Sequence, residues 1–244
     1  MVNFKPMNDE MLWLIDKLIQ KEKIKGPFLD AGGGIGDISL HLAKKGFEGT
    51  FVDFSRHATV KARKNLGSTN IKVMHKDILE IREKFNLILI LDVLEHVAND
   101  KEIVRHLYKR LNNNGHLIVS VPIKMKEWES DDDDYGHLRR YEVEEIIGLI
   151  KNENFKIRKV WDYTFPFFWL MRKGYTRVLK PKNGVLMNNA TDKTKMSGTK
   201  TFNLFNKYLR SKVLWYPLWR INHAFRNKFF GHQVLILARK GEDV

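Results

Sequence analysis

The sequence predicts an α/β fold built around a parallel sheet, and three observations support this prediction. Between residues 26 and 159, short apolar runs rich in β-branched residues alternate with longer amphipathic stretches, which is the pattern of successive βαβ units. A glycine-rich turn joins the first of these runs to a helix-like stretch. One further β-rich run stands apart near the end of the chain. Together these features favour a doubly wound sheet with helices on both faces.

The periodicities place the individual elements. An amphipathic stretch at 7–23 predicts a helix ahead of the first strand. Further helices are expected at 36–46, 56–66, 99–111 and 141–152. Strands are expected at 27–31, 49–54, 71–75, 85–91, 116–121, 155–161 and 232–239.

Charge and composition limit the class of protein. The 244 residues include 43 Lys and Arg against 29 Asp and Glu, and the resulting net charge of +14 favours an anionic partner. The absence of cysteine excludes disulfides and thiolate metal sites. The first residues lack the apolar core of a signal peptide, and no apolar run approaches the length of a membrane span. We expect a cytoplasmic protein, with peripheral contact to a membrane left open.

Nearly all of the excess charge lies in one segment, residues 163–231. This segment holds 14 of the basic residues, a single acidic residue and 15 of the chain's 28 aromatic residues. Because a structureless stretch of this length is uncommon inside a domain, it is expected to contain helices. We therefore divide the chain into a core domain, 1–162 and 232–244, and a basic aromatic insert, 163–231.

Two apolar stripes at helical spacing mark the helices of the insert. The first consists of Phe168, Met171, Tyr175, Val178 and Leu179, and the second of Leu218, Ile221, Phe225 and Phe229. Pro217 is expected in the first turn of the second helix, where its missing N–H costs nothing. The polar stretch 181–200 is expected to connect the two helices.

The strongest local signal is the sequence FLDAGGGIGDIS at 28–39. Glycines at a strand-to-helix turn let the backbone pass close to a ligand, and the helix start offers free N–H groups. A nicotinamide-binding turn, GxGxxG, would need its third glycine at the position of Asp37. The spacing therefore argues against NAD.

On these residues the chain resembles the S-adenosylmethionine (SAM)-dependent methyltransferases of the Rossmann-like class, whose signature is an acidic residue followed by GxGxG. The resemblance implies a seven-stranded, mostly parallel sheet with an antiparallel last strand, here HQVLILAR at 232–239. It covers 27–161 and that last strand, but not the insert. An LEHV sequence at 94–97 is similar to the quinone-biosynthesis branch of the class, which acts on small molecules. The resemblance assigns the SAM site to Asp30, Gly32, Gly34, Gly36, Asp53 and Asp77, with Asp92 near its methionine end.

Each of the acidic residues also has a simpler structural interpretation. Asp53 closes the second strand and is expected to accept hydrogen bonds from the two ribose hydroxyls, but it could instead cap the following helix. Asp77 is expected at the adenine amino group, but it could be the N-cap of a short turn. Asp30 could brace the glycine loop by accepting its N–H groups.

Asp92, His96 and His137 are the candidates for residues near the transferred methyl group. Each follows a strand whose end should face the cofactor, and a histidine suits proton removal from an acceptor hydroxyl near neutral pH. His96 could instead be a structural residue packed on the sheet. His137, next to Arg139 and Arg140, could instead position the acceptor or close over the cofactor.

A metal site is the weaker hypothesis. Asp92, Glu95 and His96 form D-x-x-E-H, which resembles the E-x-x-E-H that quinone O-methyltransferases use with magnesium, but the first residue differs. We therefore predict no metal and leave this motif as an alternative. The acidic run 131–134 is expected to be a solvated loop, within a longer loop, 122–140, that is a candidate lid.

The sequence thus predicts a SAM-dependent methyltransferase, with O-methylation of a small-molecule or lipid-linked acceptor as the leading interpretation. The insert should cover the acceptor side of the site or dock on an anionic membrane. RNA methylation is the alternative, since cations with interleaved aromatic rings also suit phosphates and bases. A third interpretation makes the insert a small helical core or dimer contact, and a non-catalytic SAM-binding protein is the least favoured.

Overall fold

A single seven-stranded sheet forms the centre of the molecule in the computed structural model, which describes residues 6–179 and 212–241. The strands are β1 (Phe28–Ala31), β2 (Gly49–Asp53), β3 (Ile71–His75), β4 (Phe85–Leu91), β5 (Leu111–Pro122), β6 (Phe155–Asp162) and β7 (Gln233–Lys240). Their order across the sheet is β3-β2-β1-β4-β5-β7-β6.

Eight α-helices accompany the sheet in the described part of the chain. They are α1 (Pro6–Lys21), α2 (Asp37–Ala43), α3 (Arg56–Leu66), α4 (Asp100–Arg110), α5 (Ser130–Tyr135), α6 (Val143–Asn152), α7 (Phe167–Gly174) and α8 (Lys212–Phe225). A π-helical turn, Tyr175–Leu179, continues α7. Among the described residues, no helix is both long enough and apolar enough to cross a bilayer.

The strand directions confirm the predicted fold class. Strands β1 to β5 pair in parallel, whereas β7 is inserted between β5 and β6 and runs antiparallel to both. The chain order reverses between β1 and β4, which lie side by side at the middle of the sheet. In an open α/β sheet, the crevice for a ligand opens at the carboxyl ends of the strands at such a reversal.

Each face of the sheet has its own apolar layer. Helices α1, α2 and α3 cover one face, and Leu14 and Ile15 of α1 belong to the same buried cluster as Phe28 and Phe51. Helices α4 and α6 cover the other face. The four residues 87–90 of β4 are fully buried because both faces of this central strand are covered, which explains their continuous apolar run.

The insert contributes α7 and α8, which pack on one another through a third apolar cluster. The indole ring of Trp215 stacks on Phe168 with a centroid separation of 6.2 Å, and Trp219 lies in the same cluster. Phe168 and Met171 of the first predicted stripe take part as expected. The side chains of Val178 and Leu179 and the stretch 181–200 lie outside the described residues.

The predicted stripe on α8 is only partly correct: Leu218 packs against the third apolar cluster, and Phe229 lies beyond the helix and packs against the cluster that α4 and α6 share. Ile221 and Phe225 are exposed, and the buried face is formed by Trp215, Trp219 and Asn222. Spacings of four and three residues fit either face equally well, and the two large indole rings bury more apolar surface. Pro217 is also misplaced by the prediction, because it lies inside α8 and not in its first turn.

Both ends of the insert are joined at the edge of the sheet. Asp162, the last residue of β6, accepts a hydrogen bond from the Gly231 N–H at 2.6 Å. Thr164 Oγ accepts one from the His232 N–H at 2.9 Å. A Cβ at Gly231 would lie 2.2 Å from Thr164 Oγ, so only glycine fits at this position between the two ends of the insert.

One buried contact ties α1 to α8. Asn222 Nδ2 donates to Glu10 Oε2 at 3.0 Å, and both side chains are almost fully buried. Burial raises the pKa of Glu10 to about 8, against a smaller opposing effect of the hydrogen bond from Asn222.

We predict that Glu10→Gln makes stability less dependent on pH. A carboxyl group whose pKa is raised on folding contributes stability that is complete below its unfolded value near 4.5 and is lost as pH rises through about 8. The variant should therefore gain stability relative to the parent chain as pH increases across this window, by about 1–3 kcal/mol at pH 8. Urea unfolding at pH 5 and pH 8 measures this. An equal effect of Glu48→Gln, an exposed glutamate, would contradict it.

Candidate active site

The glycine-rich turn follows β1 at the chain reversal of the sheet. Gly32, Gly34 and Gly36 have φ values of 73°, 58° and 83°, in the left-handed region that favours glycine. A Cβ at Gly32 would lie 2.6 Å from Val93. A Cβ at Gly34 would meet no atom within 4 Å, so the turn is open on this side and leaves room for a bound molecule.

Sequence analysis missed the role of Gly33, the middle glycine of the run. A Cβ there would lie 2.6 Å from both Asp30 and Phe51, so this position must remain glycine for Asp30 to keep its place. Asp30 is buried and accepts a 2.6 Å hydrogen bond from Ser39 Oγ on α2, and burial raises its pKa to about 6. Asp30 thus braces the turn by holding the start of α2, because it accepts its hydrogen bond from a helix residue and not from the loop.

Asp53 connects the end of β2 to the glycine turn. Its two carboxylate oxygens accept hydrogen bonds from the Gly34 N–H at 3.0 Å and from the Ser55 N–H at 2.8 Å. Ser55 in turn caps α3 by accepting from the Ala58 N–H. The helix-start interpretation is therefore part of the structure, and each oxygen retains a lone pair that can accept from a ligand hydroxyl.

Asp77 lies at the end of the neighbouring strand β3 and is exposed. Its side chain accepts from the Leu79 N–H at 2.8 Å, and Glu80 accepts from the Asp77 N–H at 3.0 Å. This capping box shows that the N-cap interpretation is also correct as local structure. It leaves Asp77 on the same sheet edge as Asp53.

Asp92 follows β4 with a φ of 54°, a value that is uncommon outside glycine and that turns its side chain into the edge of the sheet. One carboxylate oxygen accepts from Ser120 Oγ at 2.8 Å and from Gln233 Nε2 at 3.3 Å. Tyr163 completes the network by donating to Gln233 Oε1 at 2.8 Å. No local sequence pattern indicates this network, because its members come from the end of β4, from β5, from the start of the insert and from β7.

The expectation of a solvated acidic loop at 131–134 is wrong. These residues form α5, and Asp132 is 1% exposed. It accepts hydrogen bonds from Arg140 Nε at 2.8 Å and from Arg172 Nη2 at 2.7 Å. Burial alone would raise the pKa of Asp132, but hydrogen bonds from His137 and Arg140 hold it well below its usual range. Cations distant in sequence therefore replace the solvent that this carboxylate would otherwise need.

His137 is oriented by Asp132. Its Nδ1 lies 2.7 Å from Asp132 Oδ1, and because an ionised carboxylate only accepts, Nδ1 carries a proton. In the neutral ring, Nε2 is then free to accept a proton, and it lies 3.9 Å from Glu95 Oε1. This is the arrangement of a general base held by an acidic partner.

His96 lies beside His137, with their ring centroids 4.8 Å apart. His96 is exposed and its Nδ1 lies 3.2 Å from the Gly136 carbonyl oxygen, so it contacts the candidate lid and does not pack on the sheet. Glu95 is fully buried, and neither of its oxygens has a hydrogen-bond partner among the described residues. Burial and the nearby Asp92 raise its pKa well above the usual value.

The alternative metal set of Asp92, Glu95 and His96 is not the one that the structure brings together. Within the described residues, the group with suitable spacing is Glu95, His96 and His137, whose ligand atoms lie within 4.8 Å of one another. One carboxylate and two imidazoles suit a divalent cation, and a bound cation would satisfy the unpartnered oxygens of Glu95.

Helix α7 of the insert clamps the segment 122–140. Arg172 forms a two-pronged ion pair with Asp131, at 2.6 and 2.9 Å, in addition to its contact with Asp132. Lys173 pairs with Glu127 and Glu129 at 3.0 and 2.8 Å. The first cations of the insert are therefore neutralised by the acidic segment that carries His137.

Comparison with known proteins agrees with this geometry. A family model described as a methyltransferase domain matches residues 5–160. The ubiquinone biosynthesis O-methyltransferase of Rickettsia prowazekii (strain Madrid E) is 31% identical over 118 residues, which is 43% of this chain and 47% of that protein. The chain thus spans about half the length of the curated relatives it matches.

Two solved structures show the same fold. The N-methyltransferase NodS from Bradyrhizobium japonicum WM9, in complex with S-adenosyl-L-homocysteine, superposes with a TM-score of 0.58 at 14% identity, covering 99% of this chain and 91% of that one. Magnesium protoporphyrin IX methyltransferase from Synechocystis PCC 6803, with bound SAM, gives 0.54 at 15% identity, covering 99% and 86%. The sheet order, the glycine turn and the family match together show that the chain belongs to the class I, Rossmann-like SAM-dependent methyltransferases.

Proposed function

We propose that the protein transfers the methyl group of SAM to a hydroxyl of a small-molecule acceptor, with His137 as the general base. The observation that carries this proposal is the pairing of His137 with the buried, ionised Asp132 at the carboxyl edge of the sheet. An N-methyl acceptor that reacts as a neutral amine would not need this base in the same way, so the dyad favours an oxygen nucleophile.

The reaction is an in-line displacement that depends mainly on alignment. The acceptor oxygen attacks the methyl carbon as the carbon–sulfur bond breaks, and the electron pair of the broken bond stays on the sulfur. The acceptor proton passes to Nε2 of His137, and Asp132 stabilises the imidazolium that forms. Removing this proton during the transfer avoids a high-energy protonated ether and contributes about 10²–10⁴-fold in rate.

Cofactor placement follows from the open glycine turn. The open space at Gly34 would hold SAM. Its ribose hydroxyls would donate hydrogen bonds to Asp53, and its adenine amino group would donate one to Asp77. Asp92, held by Ser120 and Gln233, would face the methionine end. These assignments fit the free lone pairs of the three carboxylates on one edge of the sheet.

A divalent cation is the competing interpretation of the same cluster. Glu95, His96 and His137 would hold it, and it would supply positive charge that lowers the pKa of an acceptor hydroxyl. In that case His137 would be a ligand and not the base. Activity that survives chelation supports the base, whereas activity lost with chelator and restored by Mg²⁺ supports the cation.

The acceptor class is inferred from the named relative and from the position of α7. The named relative supports a quinone-like phenol, and the acceptor would enter beneath α7, where Trp169 donates to Glu127 at 2.9 Å. The RNA alternative remains open to the same experiments, and no described element corresponds to a nucleic-acid-binding module that we recognise.

Asp53→Ala should weaken SAM binding at least about tenfold, or about 1.4 kcal/mol. The variant removes the ribose acceptor and the anchor of the Gly34 N–H together. Isothermal titration calorimetry with SAM measures the change. Glu48→Ala, an exposed acid at the other end of β2, is the matched control, and unchanged affinity in Asp53→Ala would remove the ribose assignment.

His137→Gln should lower kcat by about 10²-fold or more while leaving the dissociation constant for SAM within about twofold. Asp132→Asn should also lower kcat, by a smaller factor, because the base loses its ionised partner. The control substitution His106→Gln, on α4, should change neither kcat nor the dissociation constant for SAM. A His137 variant with full activity would disprove the base.

Labelled SAM incubated with the protein and a host-cell extract tests the acceptor class directly. The products are separated into organic-soluble, aqueous small-molecule, RNA and protein pools. Label in either small-molecule pool supports the proposal, and label in RNA selects the alternative. Calorimetric SAM binding with no label in any pool would instead indicate a non-catalytic SAM-binding protein.

A further inference from the structure

A cavity of about 500 Å³ lies between α1 and α8, beside the end of β6, where His223 packs edge-to-face against Trp161. None of the candidate catalytic or cofactor residues lines it. Its wall consists mainly of aromatic and basic side chains: Trp13, Lys17, Tyr216, Arg220, His223 and Arg226.

The cavity concentrates positive charge without a compensating acid. Lys17, Arg220 and Arg226 converge on it, and no acidic residue is part of its lining. Burial and repulsion from Arg226 and Arg220 lower the pKa of Lys17. Like charges held together in this way are stabilised when an anion binds between them.

Buried polar atoms at the same place lack partners. Arg226 Nε and His223 Nδ1 are buried and make no hydrogen bond within the part of the chain that the structure describes. Lys17 Nζ lies 3.6 Å from the centroid of the Trp13 ring, where the ring takes the place of an acidic partner. An oxyanion bound in the cavity would give Lys17 and Arg220 an anionic partner, which no described residue of the lining supplies.

An apolar surface borders the cavity. Tyr216 and Ile221 on α8 are each 47% exposed, and Phe230, just beyond the helix, is 54% exposed. Residues 212–231 contain four basic residues and no acidic one. Exposed aromatic and aliphatic side chains beside unpaired cations are the combination found on helices that lie at a charged membrane surface.

We propose that the α1–α8 cavity binds the phosphate group of an anionic phospholipid, with the exposed face of α8 against the bilayer. The aliphatic Ile221 favours lipid over nucleic acid. The aromatic rings favour it as well: Phe225 and Phe230 pack edge-to-face against Phe165, at 5.5 and 5.3 Å, so they are not free platforms for stacking bases, but 39% and 54% of their surface stays exposed and can contact acyl chains. The inference is independent of the methyl-transfer proposal.

Sedimentation with lipid vesicles tests this surface on the full chain. Phosphatidylcholine vesicles containing roughly 30 mol % phosphatidylglycerol should bind the protein, and pure phosphatidylcholine vesicles should not. Lys17→Gln combined with Arg220→Gln should weaken vesicle binding about tenfold or more, since each cation near such a surface contributes appreciably. The matched control, Lys101→Gln with Lys109→Gln on α4, removes the same charge from the opposite face and should bind nearly as well as the parent chain.

Three outcomes would overturn the proposal. Equal loss of binding in the two double variants would show a diffuse charge effect, and equal binding to both kinds of vesicle would show that the phosphate site is not used. Calorimetric binding of glycerol 1-phosphate together with no vesicle binding would identify a site for a soluble phosphate ester. Calorimetry with SAM should give the same affinity for all variants, which separates failure here from failure of the catalytic proposal.

Discussion

The carboxylate of Asp132 joins parts of the molecule that are far apart in sequence. It accepts hydrogen bonds from Arg140 in the loop after β5, from Arg172 of the insert and from His137 of the candidate active site. It also accepts one from the Glu129 N–H. An ionised group this deeply buried is tolerated only when such donors surround it. Because Arg172 of helix α7 binds the same carboxylate that orients the ring of His137, Asp132 links the architecture of the insert to the chemistry of the site.

This dependence changes how the charge of the insert is understood. Arg172 and Lys173 face acidic residues of the segment 122–140, so they are structural partners and are not available to an external anion. Around the cavity between α1 and α8, by contrast, the lining formed by the described residues contains cations and no acid. One basic segment thus contains two populations of cations, and composition alone cannot separate them because it counts residues without their partners.

The sequence was most informative where local pattern and position coincide. The alternation of strands and helices, the glycine turn and the acids at the ends of β2 and β4 could all be located before the fold was known. The burial of Asp132 could not be predicted from the sequence. A run of four acidic residues is normally exposed to solvent, and the basic partners of this run lie up to 41 residues away. The prediction of the buried face of α8 was inaccurate for another reason. A helix with apolar residues on several sides permits more than one stripe with a period of 3.6 residues.

The hydrogen bonds that join Asp162 and Thr164 to Gly231 and His232 affect how the sequence of such a protein can change. Since β7 runs antiparallel between β5 and β6, the segment 163–231 leaves and re-enters the sheet at adjacent points, secured by hydrogen bonds to the side chains of Asp162 and Thr164 at its start. Such a segment can change length or sequence between two fixed anchor points without altering strand register. New acceptors can then be acquired by replacing one module, provided that a basic residue equivalent to Arg172 still reaches Asp132.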